Sequence, residues 1–510
     1  MFGNLSKLDR FFVSAIPVAA FFAYWLWKLI YNVYLHPLAK FPGPKWATCS
    51  YLAEFYYDIF QGGRYFQQVV KMHEIYGPLV RMNPNDLHIN DPYFYEQVYA
   101  GNGYKRHKPE SAVFDMPLAT SSTLDHELHR QRRGYWSNFF SKQSVVRLEP
   151  FIQAKVAQMV DKLKEAHYKG DTLIGVEVFG ALTTDIISHY AYGESFKQLD
   201  QPGFLSALTR DISQILLSSK FRRSFPAINS VMKHLPQQVI ERLNPNAKSM
   251  FDVQVKMNQL SLDALATRDK VGNAQDGQTI FQALTDPSIP PHERTLERLR
   301  DEGLLVLAAG LETTARFLTN TVCYMVTYPG VLSKLRSELD SVITYPDAQP
   351  TWTQLETLPY LRAFINESLR FNCCLTDIFP RVPAEPLRYK DWIIPAGTSV
   401  GAIPWLLNRH PDVFPDPDVF RPERWLEAEA QGERLTRYLV TFTKGTRICL
   451  GINLAYAEMY IMVAALVRNF DMELVDSSIE DIVPYRDYGL SFNKGYKVGV
   501  NFKITDVLHK

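Results

Sequence analysis

Phe442-Thr443-Lys444-Gly445-Thr446-Arg447-Ile448-Cys449-Leu450-Gly451 stands near the C-terminal end and runs directly into an apolar helical segment, Ile452 to Phe470. One cysteine sits between two glycines at the entrance to a helix. Converging backbone N–H groups at a helix N-terminus carry partial positive charge, which favours a thiolate over a thiol. Gly445 and Gly451 let the backbone turn tightly and approach a flat ligand, and Arg447 places a cation two residues from the sulfur. A lone cysteine near a helix is ordinarily a buried apolar residue that ligates nothing. Among these neighbours Cys449 reads instead as the residue that holds an iron porphyrin in a socket.

Composition narrows the alternatives. A chain of 510 residues, 46% hydrophobic, can bury a large core. Lys+Arg 55 against Asp+Glu 54 leaves a net charge of +1, so there is no electrostatic footprint for nucleic acid. The five cysteines (Cys49, Cys323, Cys373, Cys374, Cys449) form no C-x-x-C pair, which argues against a disulfide framework or a zinc site.

The ten residues quoted above match the haem-binding pattern Phe-x-x-Gly-x-Arg-x-Cys-x-Gly at every fixed position. On them the chain resembles the cytochrome P-450 family. The resemblance implies haem b with Cys449 as axial iron ligand and Phe442, Gly445, Arg447 and Gly451 around it. It also implies a mostly α-helical fold with small β-sheets.

Phe11 to Trp27 carries no charge, and at about 1.5 Å per residue the run extended to Tyr34 crosses a hydrocarbon core of roughly 30 Å. Trp25, Trp27, Tyr31 and Tyr34 suit an interfacial belt, and no small-residue cleavage site follows. Lys28, Lys40 and Lys45 after the span, against Lys7 and Arg10 with Asp9 before it, place the body on the cytosolic side. Pro37, Pro42 and Pro44 stiffen the connector. The expected organisation is a membrane anchor over 1–34, a hinge over 35–45 and one catalytic domain over 46–510.

Apolar periodicity predicts helices over Arg64–Tyr76, Val145–His167, Val176–Tyr192, Phe204–Lys220 and Leu299–Tyr328, with another from His129 through Phe140. Hairpins are expected over Leu387–Val400, turning at Pro395-Ala396-Gly397, and over Leu490–Lys503, turning near Asn493-Lys494-Gly495. Phe221 to Ile228 mixes cations with apolar residues and suits a lid touching a membrane surface.

Within Leu299–Tyr328 the segment Ala308-Ala309-Gly310-Leu311-Glu312-Thr313-Thr314 puts glycine in a helix interior, a cost of about 1 kcal/mol, beside two stiff threonines. Such a segment gains something if a flat cofactor or O2 must come close. It is similar to the family's oxygen-binding helix, which implies Thr313 as the alcohol and Glu312 as the acid that deliver protons. By the same resemblance His129, Arg133 and Arg381 face haem propionates, although His129 stands where tryptophan is commoner. Glu367, Arg370 and Arg424 are implied to form a buried network for folding and haem retention. Cys373 stands where many relatives have proline. Leu305, Ala308, Ala309, Thr313 and Ile378 are the expected pocket residues.

The family's microsomal members take electrons from an NADPH-cytochrome P-450 reductase, with cytochrome b5 as a second donor, and this chain carries no Rossmann or flavin fingerprint of its own. The stretch Tyr31 to Lys45 is similar to fungal members that decorate secondary metabolites, trichodiene oxygenase among them. That implies a single-pass protein of the endoplasmic reticulum membrane acting on a small hydrophobic terpenoid or polyketide-derived substrate. Two other functions fit the same socket: an O2-independent haem-thiolate isomerase or dehydratase, and a non-catalytic haem sensor.

Overall fold

A computed structural model describes residues 7–508, apart from 102, 111–115, 205–206, 234, 244–246, 268–278, 344 and 346–347, with side chains described from Ile16 onward except at 207, 229, 232–233, 243, 247–250 and 267. Its helices are α1 (Lys7–Ile30), α2 (Tyr65–Tyr76), α3 (His126–Gly134), α4 (Lys142–Lys169), α5 (Gly175–Tyr192), α6 (Ala207–Leu217) and α7 (Ser219–Ser224), then α8 (Leu296–Thr327), α9 (Pro359–Phe371) and α10 (Ile452–Asn469), with shorter helices between. Caps explain the boundaries. Ser141 Oγ accepts from Ser144 N at 3.3 Å to open α4, and Gly170 closes it in the left-handed region at φ 71. Thr295 opens α8 the same way, and Pro359 occupies the first position of α9. α4, α5, α8, α9 and α10 share one apolar core.

Small sheets flank this helical body. β1 (Leu79–Arg81) and β2 (Asp86–Ile89) are antiparallel. β3 (Leu387–Tyr389) and β4 (Trp392–Ile394) form a hairpin, and β5 (Ser399–Gly401) runs parallel to β2. β6 (Phe470–Leu474), β7 (Arg486–Asp487), β8 (Ser491–Phe492) and β9 (Asn501–Val507) follow, with β7 pairing β8 and β9 pairing β6, and two-residue strands lie at Arg106–His107, Leu173–Ile174 and Val382–Pro383.

Four sequence expectations change. The first hairpin turns at Lys390-Asp391, because Gly397 donates its N–H to Pro383 O (2.9 Å) and swings the chain away, so that the fully buried β5 joins β2. The second does not form as one hairpin. Its turn at Asn493 exists, but its arms pair with β7 and β6. α3 stops at Gly134, leaving a 3-10 turn over Ser137–Phe140, and the expected 204–220 helix divides into α6 and α7.

From Ile16 to Leu35 runs a helix of 20 residues with mean hydropathy 1.3, long and apolar enough to cross a membrane. Lys7, Asp9 and Arg10 have side chains outside the described set. His36 leaves the helix extended at φ −66 and ψ 145, as a residue before proline must. The connector is docked: Phe41 packs on Trp392 with centroids 5.2 Å apart, and buried Arg81 donates to Asn32 O at 2.8 Å.

A second buried device joins α2 to β2. His88 Nε2 accepts from Ile403 N at 2.9 Å, so its proton lies on Nδ1 and is donated to His73 Nε2 at 2.6 Å. His73 Nδ1–H then serves Gly77 O at 2.8 Å. Both rings are therefore neutral; burial lowers His73 to about 4 and His88 well below its usual value. An unfolded chain binds these protons near 6.5, so folding stability falls as pH drops from about 6.5 towards 4, by up to about 1.4 kcal/mol per pH unit per histidine. Urea midpoints measured across that window should fall, and less steeply in His73→Phe; parallel slopes would refute the assignment.

Candidate active site

A cavity of about 1130 Å³ lies between α8 and the loop that enters α10. Cys449 faces it at the mouth of α10, its N–H donating to Phe442 O at 2.9 Å. Gly445 is at φ 74, and a Cβ there would overlap the Tyr99 carbonyl, so this glycine serves backbone packing and not the ligand. Gly451 differs: it lines the cavity and a Cβ would meet no protein atom. That leaves room for a flat group.

The sulfur is open to the cavity yet deep in the fold. Burial pushes the thiol up, outweighing the Gly451 N–H and the Arg133 charge that favour thiolate. Arg447 contributes nothing there. Its guanidinium turns away to Thr123 O (2.9 Å) and Leu124 O (3.0 Å).

Arg447 belongs instead to a wall of cations in which Arg381 is buried and Arg133, Arg447 and Lys108 are half-buried. Arg133 donates to Ile448 O (2.8 Å), Arg381 to Pro380 O (3.1 Å) while covering the Tyr99 ring, and Lys108 to Ser121 O (3.0 Å). Among the described residues no carboxylate pairs with any of the four. Burial, with repulsion from Arg381, pushes Arg447 down to about 9 and Lys108 to about 8. Burial and the neighbouring arginines likewise take His129 to about 3. His129 Nδ1 and Trp136 Nε1 are buried without a partner. Such a wall is under-neutralised and suited to an anion. It fits the carboxylate edge of a haem that Cys449 would hold. Lys108 and Trp136 escaped sequence reading because no local pattern marks a residue that folding brings to a cavity.

On α8, Leu305, Ala308, Ala309 and Thr313 line the cavity together with Ile378 from the irregular turn after α9. Thr313 Oγ1 donates to Ala309 O at 2.8 Å, and the helix remains continuous. Gly310 is a packing notch: a Cβ there would stand 2.9 Å from an Ile187 side-chain carbon of α5. Glu312 is buried, taking Arg316 Nη2 (2.7 Å) and Ser213 Oγ (3.1 Å) on Oε1 while Oε2 has no partner.

Behind the cavity Glu367 is wholly buried and holds two guanidiniums, Arg370 at 2.8 Å and Arg424 at 3.1 Å, plus Trp425 Nε1 at 2.9 Å. Arg370 reaches the carbonyls of Asn408 and Pro417. Asn408 in turn accepts from Val440 N and donates to Thr441 Oγ1, both at 2.9 Å, one residue before Phe442. Hydrogen bonds thus run from Glu367 to the loop that carries Cys449.

The sequence profile of the cytochrome P450 family matches residues 42–498. The chain belongs to the cytochrome P450 family. It is 40% identical to conidiogenone synthase PchP450 of Penicillium rubens, over 96% of this chain and 98% of that protein. It is 38% identical to cytochrome P450 monooxygenase astB of Aspergillus terreus (94% and 93%) and 36% identical to cytochrome P450 monooxygenase TRI4 of Fusarium sporotrichioides (92% and 90%). This P450 is a haem-thiolate monooxygenase. Glu367→Ala leaves two guanidiniums buried and unpaired, a loss of about 3–5 kcal/mol. Little haem-loaded protein should result, measured as the 450 nm carbon-monoxide difference band per unit of protein; normal loading would refute the network.

Proposed function

We propose that this P450 inserts oxygen from O2 into a small hydrophobic terpenoid or polyketide-derived intermediate of a fungal biosynthetic pathway, with Cys449 as the axial iron ligand. The observation that carries this reading is the cavity in which one cysteine, a bare glycine and four unpaired cations face the same space. Haem bound there would activate O2 and oxidise a C–H bond, using two electrons from outside.

Arg133, Arg381, Arg447 and His129 would hold the carboxylate edge of the haem, with Lys108 beside them. Ala308 and Ala309 keep the α8 side of the cavity free of bulky side chains. Thr313 Oγ keeps a proton at the cavity wall and passes it on, and Glu312, through its free Oε2 and a bridging water, restores it. Arg316 holds that carboxylate in place. Glu367, Arg370 and Arg424 maintain the loop and do no chemistry.

Residues 1–34 form the anchor, 35–45 the hinge and 46–510 the catalytic domain, cytosolic on a single-pass span in the endoplasmic reticulum membrane. Exposed Phe221, Ile228 and Val231 beside the cavity roof support entry of apolar substrate from the lipid. The reductase is an NADPH-dependent flavoprotein, with cytochrome b5 as a second donor.

Disrupting the gene in its source organism and comparing extracts by high-resolution mass spectrometry should reveal a precursor with less oxygen or more hydrogen; an accumulating isomer of equal mass would overturn the oxidation. Thr313→Ala should keep haem but raise NADPH consumed per product roughly tenfold. Unchanged coupling would remove Thr313 from proton delivery.

A further inference from the structure

Opposite in character to the cation wall, the roof of the cavity carries compensated charge. Lys220 of α7 is 8% exposed and lies between Asp58 at 3.2 Å and Asp487 at 2.7 Å. Those carboxylates are themselves 7% and 2% exposed. Arg223, one turn on, pairs with Glu54 at 3.6 Å. Asp377 lies in the same turn as Ile378, with Oδ1 accepting only its neighbour's N–H at 2.8 Å. All six line the space above α8 and border it with Ala308 and Thr313.

Burying an ion pair costs desolvation that apolar side chains of similar volume would avoid, so folding alone does not require this cluster. An ammonium has three N–H donors, and Lys220 has two carboxylates. A pure hydrocarbon filling the cavity would seal the third donor from water with nothing in exchange. A carbonyl or hydroxyl oxygen on the occupant would receive it, as a charge-assisted hydrogen bond.

We propose that Lys220 is a substrate-positioning residue that donates to an oxygen already present on the substrate, so that this P450 oxidises an oxygenated skeleton instead of a hydrocarbon. The inference rests on the cavity being the substrate chamber of the proposed function. It places the enzyme after a step that introduces oxygen, either an earlier oxygenation or a cyclisation terminated by water. Asp58 and Asp487 aim the ammonium.

The test uses the haem-loaded full chain and a matched pair of probes, the tricyclic alcohol cedrol and the hydrocarbon cedrene, titrated by the spin-state change in the haem absorbance. Cedrol should bind about tenfold tighter or better. Lys220→Met should weaken cedrol by the same factor and leave cedrene unchanged, while Lys220→Gln, which keeps an N–H donor, should retain part of the preference. Equal affinities in the wild-type chain, no cedrol binding, or equal weakening of both probes in Lys220→Met would overturn the proposal, the last showing that Lys220 only latches the lid. Should the methionine variant lack the 450 nm carbon-monoxide band, the glutamine variant decides. Absence of that band in the wild-type chain would instead refute the proposed haem site.

Discussion

One carboxylate shared by two guanidiniums is the interaction on which the site depends. Glu367 is fully buried, and its two oxygens accept from Arg370, Arg424, Trp425 and the Arg421 backbone N–H. Each guanidinium then spends its remaining donors on carbonyls of residues 408–419. An irregular segment that could not satisfy its own backbone is thereby satisfied from a helix. The short helices and turns leading to Cys449 inherit a fixed position from a charge cluster that never touches the cavity.

The cavity itself is electrostatically divided. On one side, four cations lean on backbone carbonyls with no carboxylate paired to them among the described residues, an arrangement suited to an anion. On the roof, Lys220 and Arg223 are met by carboxylates. The contrast is between a wall whose cations rest on carbonyls and a wall whose cations are paired with carboxylates. Thr313 and Glu312 stand on the helix between them, with Glu312 neutralised by Arg316 one turn away.

The apolar N-terminal helix meets the body through Arg81. Its guanidinium joins the end of the apolar helix, through Asn32 O, to Pro84 O beyond β1. Gly43 completes the join, since any Cβ there would collide with the Arg81 carbonyl. The body is therefore tied to the end of the apolar helix by a buried guanidinium and a close backbone contact.

The family, the cysteine, the distal threonine and the apolar N-terminal helix were all legible in the chain, because each is a local pattern. A helix mouth, a helical period and an uncharged run are properties of neighbouring residues. What lay out of reach depended on distant partners. β5 left its expected hairpin for β2 because pairing is chosen across sequence gaps, and Gly310 proved to pack against Ile187 of α5. Arg447, adjacent to the cysteine in sequence, turned to carbonyls at 123–125, while Arg133 supplied the charge. Sequence alone determined that a haem-thiolate enzyme was encoded, since ligand spacing is short-range. Tertiary structure alone decided that Lys108 and Lys220 also face the cavity, since burial and electrostatic compensation are set by chain segments hundreds of residues apart.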